Sequence, residues 1–175
     1  MTAEIAIIIP TFNERDNIER VHAGLVRALA GRDWEAVFVD DDSPDGTAAV
    51  VRALALQDAR VRCLSRLGRR GLASACIEGA LATAAPVLCI MDADLQHDES
   101  IIPVLLTRLR EGDLDLVVAT RYADAGGMGA LAPGRVRLSR LATRITRGLA
   151  RVPISDPMSG FFLFRRGWFE QIMRR

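Results

Sequence analysis

Asp92-Ala-Asp94, with Gln96 and His97 just beyond, sets two carboxylates, a carboxamide and an imidazole at the end of the apolar run 86–91. A run of that length, bounded by Ala84-Ala85-Pro86 on one side and polar residues on the other, predicts a buried strand. Side chains alternate faces along a strand, but at its carboxyl end two acids spaced two apart can converge on one ion. Like charges that close need a cation or a proton between them, and a divalent metal with oxygen ligands is the natural partner. Solvated acids in a strand-to-helix loop account for the tripeptide taken alone just as well. A second acidic group, Val39-Asp-Asp-Asp-Ser-Pro-Asp-Gly-Thr47, also follows an apolar run. It contains no G-x-G-x-x-G, so the dinucleotide-binding fingerprint is absent. Acids placed there would accept hydrogen bonds from a base or ribose rather than cradle a pyrophosphate. Asp45 can cap the next helix and Pro44-Asp45-Gly46 can turn the chain while Asp40 and Asp41 face a ligand.

The elements that must position these groups alternate. Strands are predicted at Ile5–Ile9, Ala36–Val39, Val61–Ser65, Val87–Met91 and Leu114–Ala119. Helices are predicted from near Asn13 to Ala30, from Asp45-Gly46-Thr47 to Leu56, over Gly71–Ala84, and up to Arg110 with Pro103 in the first turn. Such alternation predicts one α/β domain over 1–175, a mainly parallel sheet with helices on both faces. Open sheets of this kind bind ligands beyond the carboxyl ends of their strands. Thr11–Glu14, Asp40–Asp45 and Asp92–His97 each follow a strand directly, so all three belong to one rim.

Half of the 175 residues are hydrophobic, which excludes a disordered chain. The net charge of +1 hides an asymmetry: residues 1–120 carry 12 Arg against 19 acids, and residues 121–175 carry 11 Arg against 3. The acidic part suits a metal site and the basic end suits phosphates or an anionic surface. Cys63, Cys76 and Cys89, widely spaced and without a C-x-x-C, read as buried thiols of a reducing compartment. Met1-Thr-Ala-Glu opens directly into a strand and no apolar run is long enough to span a bilayer, so the expectation is a cytoplasmic protein, soluble or peripheral. Within 123–151, Gly126-Gly127-Met128-Gly129 and Ala132-Pro133-Gly134 predict a loop, a plain connection or a lid. Arg135–Arg151 then sets Leu138, Leu141, Ala142, Ile145 and Leu149 on one helical face and Arg137, Arg140, Arg144, Arg147 and Arg151 on another. That pattern fits a core-packed helix with a solvated face, or a helix resting on anionic lipid.

Six stretches, Ile9–Glu14, Val39–Thr47, Arg70–Ala75, Met91–His97, Ala119–Tyr122 and Asp156–Phe161, together resemble a family-two glycosyltransferase of the GT-A fold. More narrowly, they resemble polyprenol-phosphate sugar transferases of the dolichol-phosphate mannose synthase type. The resemblance implies that Pro10, Phe12, Glu14, Asp40 and Asp41 hold the nucleoside half of a nucleotide-sugar donor. It implies Mg²⁺ or Mn²⁺ on Asp92, Asp94 and Gln96, with His97 behind them. Arg121, Arg135 and Ser139 would grip the acceptor phosphate, Arg135 and Ser139 lying one helical turn apart. Asp156 stands where relatives place an acid near the acceptor, which makes Asp94, Arg121 and Asp156 the implied catalytic set.

The implied reaction is a single inverting displacement moving a hexose, mannose from GDP-mannose foremost, to a polyprenyl or dolichyl phosphate on the cytoplasmic face of a membrane. A UDP-sugar donor is the same-class alternative, and an idle nucleotide-sugar-binding module the different-class one. No nucleic-acid partner is implied. Asp42 departs from the Gly or Asn that relatives commonly carry. Relatives also continue past Gly160-Phe161-Phe162 with further, often membrane-associating, structure. A chain stopping at Arg175 is therefore expected to leave Trp168, Phe169, Ile172 and Met173 exposed.

Overall fold

A computed structural model describes residues 2–119 and 160–174. Its strands are β1 (Ile5–Thr11), β2 (Trp34–Asp40), β3 (Val61–Ser65), β4 (Val87–Ile90), β5 (Leu116–Val118) and β6 (Phe162–Arg165). Its helices are α1 (Ile18–Ala28), α2 (Thr47–Ala55), α3 (Leu72–Leu81), α4 (Ile102–Glu111) and α5 (Arg166–Met173). Short 3₁₀ turns at Arg15–Asn17 and Glu99–Ile101 lead into α1 and α4. The expected α/β domain is present, with boundaries shifted by a few residues. α1 starts later than expected because the 3₁₀ turn takes up the first residues after Glu14.

The six strands form one sheet in the order β3-β2-β1-β4-β6-β5. β1 pairs in parallel with β2 and β4, and β2 with β3, while β6 runs antiparallel between β4 and β5. β6 and α5 were not predicted. The alternating β–α pattern ends near 119, and a four-residue strand paired with segments more than forty residues earlier leaves no local signal.

Ile5, Ile7 and Ile9 face α1, α2 and α4 across one core, with Val21, Leu25, Val51, Leu106 and Leu109 in the same cluster. Ala6, Ile8, Val37 and Val39 face α3 and α5 across the other. Burial on both faces explains why these strands read as continuous apolar runs rather than alternating ones. α3 lies especially close to the sheet: a Cβ on Gly79 would meet Ile8 Cγ2 at 2.5 Å and Val39 Cγ2 at 2.8 Å. Contrary to the expectation for the last residues, Phe169 is buried against Phe164 in this second core; Met173 is exposed. Arg165 and Arg166 are structural rather than phosphate-facing. Arg165 donates to the carbonyls of Leu109 and Leu114, and Arg166 to those of Ala80 and Ala85. Of these carbonyls, Leu109 and Ala80 lie in the last turns of α4 and α3, where helix carbonyls lack intrahelical donors.

Candidate functional site

β1, β2 and β4 end on one rim of the sheet, and antiparallel β6 begins there. This brings Thr11–Glu14, Asp40–Asp45 and Asp92–His97 together, as the sequence predicts, and adds Gly160 and Phe161. Each of the three loops contains a non-glycine residue in the left-handed region: Asn13 (φ 59°), Asp42 (φ 59°) and Leu95 (φ 60°). Leu95 is the most costly, since a branched side chain gains nothing there, and such strain is of order 1 kcal/mol or more. Strained backbone of this kind clusters at functional sites, and no sequence motif announces it.

The second loop is tied down by its own side chains. Asp40 accepts from Ser43 N (3.0 Å), Ser43 Oγ (2.6 Å) and Thr11 Oγ1 (3.3 Å). Ser43 Oγ also accepts from Asn13 N at 3.0 Å, joining the first loop to the second. Asp45 accepts from Thr47 N (2.9 Å), Thr47 Oγ1 (2.6 Å) and Arg15 N (3.2 Å). Partial burial works to raise its pKa, but these hydrogen bonds outweigh it and hold Asp45 below the usual carboxylate range. Thr47 Oγ1 accepts in turn from Glu14 N at 3.0 Å. Glu14 holds Asn17 Nδ2 at 2.7 Å.

Asp41 is buried and bound on both oxygens, to Arg66 Nη1 (2.5 Å) and Gly71 N (2.6 Å). Arg66, 3% exposed, also reaches Ser74 Oγ (2.5 Å) and Gly71 O (3.3 Å). Its Nε lies 3.3 Å from Glu78 Oε2 without hydrogen-bond alignment. Asp42 accepts from Gly68 N at 3.1 Å. One loop, Arg66–Gly71, is therefore clamped at its start, middle and end by Asp41 and Asp42. Sequence reasoning missed Arg66, because nothing distinguishes it from the other exposed-looking arginines around it. The clamp leaves Phe12 and Arg70 on the outside, with the guanidinium 4.3 Å from the ring centroid. Pro10 is half-buried within β1, level with Val39 of β2.

At the end of β4 the acids are handled differently. Asp94 is exposed and accepts only from Gln96 N (3.0 Å) among the described residues, and Gln96 itself is exposed. Asp92 is partly exposed, with His97 Nε2 3.7 Å from its Oδ2. Neither acid has an arginine partner among the described residues. Asp98 is drawn below its ordinary range by the hydroxyl and the N–H of Ser100, whose turn it caps. Behind Asp92 lies Cys76, whose thiol is pushed up to about 12 by burial first and the Asp92 charge second. Cys76 and Cys89 are buried and Cys63 half-buried, all of them free, as expected for inert thiols.

No group of three or more His, Cys, Asp or Glu side chains assembles into a metal cluster among the described residues. The oxygen donors on offer are Asp92, Asp94 and Gln96. Arg121, Arg135, Ser139 and Asp156, with the 123–151 loop and helix, lie outside the described residues. No helix among the described residues is long and apolar enough to cross a membrane.

Comparison with known proteins agrees with this architecture. The chain is 34% identical over 175 residues to a dolichol-phosphate mannosyltransferase of Pyrococcus furiosus, covering 93% of this chain and 46% of that protein. It is 37% identical over 175 residues to the Saccharomyces cerevisiae protein of the same name, covering 97% and 64%. The chain thus spans about half to somewhat under two thirds of the length of these relatives. A mannosyltransferase from Pyrobaculum calidifontis, solved in complex with GDP-Man and Mn²⁺, superposes with a TM-score of 0.68 at 20% identity, over 98% of this chain and 47% of that one. Mannosyl-3-phosphoglycerate synthase from Rubrobacter xylanophilus gives 0.68 at 19% identity, over 95% and 55%. These two structures share the fold. The description Glycosyl transferase family 2 matches residues 6–173, nearly the whole chain, and the chain belongs to that family.

Proposed function

We propose that this chain carries the catalytic domain of a metal-dependent transferase moving mannose from GDP-mannose to a polyprenyl or dolichyl phosphate. The observation that carries this reading is the likeness, at 34–37% identity across more than nine tenths of the chain, to proteins named dolichol-phosphate mannosyltransferase. The rim supports it: a fixed acidic wall at Asp40–Asp45 beside the partly exposed Asp92 and the exposed Asp94 suits a nucleoside next to a charged diphosphate.

Asp92, Asp94 and Gln96 would hold the ion, Mn²⁺ or Mg²⁺. Their fit rests on two features. The donors are all hard oxygens, and the absence of a Cβ on Gly160 lets the Asp92 carboxylate occupy its place at the rim. With so few protein oxygens, an ion held there would keep positions for oxygens from outside the chain. When bound, the ion neutralises the charge that builds on the departing nucleoside diphosphate. Pro10, Phe12 and Glu14 would line the nucleoside side. Asp40 and Asp41, whose oxygens already take protein donors, would hold that wall in shape and use their remaining lone pairs toward the ligand.

Arg121, Arg135 and Ser139 would grip the acceptor phosphate. A phosphate monoester is already largely ionised near neutral pH, so removing its proton contributes little. Asp156 would then orient the site or steady positive charge at the anomeric carbon rather than act as a base. Attack by the phosphate oxygen on that carbon breaks its bond to the diphosphate and inverts the centre. Positioning and electrostatics supply the acceleration. The basic face of 135–151 would rest on anionic lipid, and Arg140→Glu with Arg144→Glu should weaken sedimentation with anionic liposomes.

The test is transfer of labelled mannose from GDP-mannose to a polyprenyl phosphate with Mn²⁺. Labelled lipid supports the proposal. Donor bound without product, with acceptor and metal present, would leave this chain a binding module.

A further inference from the structure

Asp92 is seated by residues from two distant parts of the chain. Gly160, immediately before β6, packs directly on it: a Cβ there would fall on Oδ2, with the carboxyl carbon 3.1 Å away. Gly160 does not occupy the left-handed region, so space, and not backbone freedom, is what glycine supplies. His97 approaches the same carboxylate oxygen. Its side chain is 7% exposed, its ring centroid lies 5.1 Å from that of Phe161, and its Nε2 is 3.7 Å from the same Oδ2. Phe161 is buried, and its carbonyl accepts from Ala119 N at 2.9 Å, which ties Gly160-Phe161 to the end of β5. The pairing of Ile90 with Phe162 keeps β6 in register beside the residues leading to Asp92.

We propose that Gly160 and His97 are positioning residues that fix the Asp92 carboxylate in the orientation the metal needs. The inference rests on the reading of Asp92 as a metal ligand. A carboxylate left partly exposed at a strand end samples several rotamers. Packing of Gly160 against Oδ2, with the imidazole Nε2 3.7 Å from the same oxygen, removes most of them before the ion arrives. Outer partners of this kind typically change metal affinity by about 10–100-fold when altered.

The measurement is the affinity for GDP by calorimetry, with Mn²⁺ and separately in EDTA, taking the gain due to metal as the readout. Gly160→Ala should cut that gain about tenfold while leaving affinity in EDTA unchanged. His97→Phe, which keeps a ring against Phe161 but removes Nε2, should cut it by less. Each should add little to Asp92→Ala in a double-mutant cycle, because both act through that carboxylate. Circular dichroism identifies a variant that fails to fold, and the His97 arm then decides. A gain unaffected by either substitution overturns the seat, and so do losses that add to that of Asp92→Ala. A chain whose GDP affinity never responds to Mn²⁺ overturns the metal reading and the seat with it.

Discussion

The two rims of the sheet treat their acids in opposite ways. At the amino rim three of the described acids are held by charged partners. Glu4 meets Arg32 and Arg110, Asp58 meets His22 and Arg60, and Glu35 meets Arg62 and Thr83. At the carboxyl rim Asp92 and Asp94 have no arginine partner among the described residues, and the backbone around them is strained at Asn13, Asp42 and Leu95. Matched acids hold elements together; acids left with spare lone pairs beside strained loops are available to a ligand. The Arg66–Asp41 pair is the exception that clarifies the rule, being a matched pair on the ligand rim that serves to hold a loop.

Removing that exception should produce the largest effect. Arg66→Met leaves Asp41 buried with one donor lost, and breaking a buried pair typically costs about 3–5 kcal/mol. Urea unfolding should register it, and GDP binding should weaken as well because the Arg66–Gly71 loop loses its clamp. A stability change no larger than that of an exposed ion pair would place Arg66 with the amino-rim arginines. Asp94→Ala comes next and reverses the pattern. It should reduce Mn²⁺-dependent GDP binding by about a hundredfold with Tm essentially unchanged, since the carboxylate is exposed and bonds only Gln96 N. Unchanged metal-dependent binding would remove Asp94 from the ion.

How much of this could be read in advance follows from range. The α/β alternation and the meeting of the post-strand motifs on one rim were legible, because apolar runs and turn residues are local signals and Asp40, Asp92 and Asp94 follow such runs directly. β6 was not legible, since its partners lie far away in sequence. Nor was the role of Gly160, whose glycine matters only because Asp92 arrives beside it. Arg66 looked like any other arginine until α3, pressed onto the sheet through Gly79, brought Gly71 and Ser74 within its reach. The left-handed Leu95 contradicts its own residue type, and such a conflict is set by tertiary structure alone.

The smallest predicted effect lies wholly on the amino rim. Asp58 is held well below its ordinary value of 3.8, chiefly by hydrogen bonds from Arg60, against burial and with help from His22. A carboxylate whose pKa is depressed on folding stabilises fully above its unfolded value and loses that contribution as pH falls toward the folded one. Asp58→Asn should therefore cost about 1 kcal/mol at neutral pH, the group being close to solvent. The difference from the unsubstituted chain should narrow as the solution is acidified below about pH 4. Arg60 also stacks over Trp34, with Cζ 4.3 Å from the ring centroid, so part of this rim's stability will survive the substitution. GDP affinity with Mn²⁺ should not move at all. A change in binding would mean that the two rims communicate through α1 and α2, and that pairing of charge alone does not separate structural acids from functional ones.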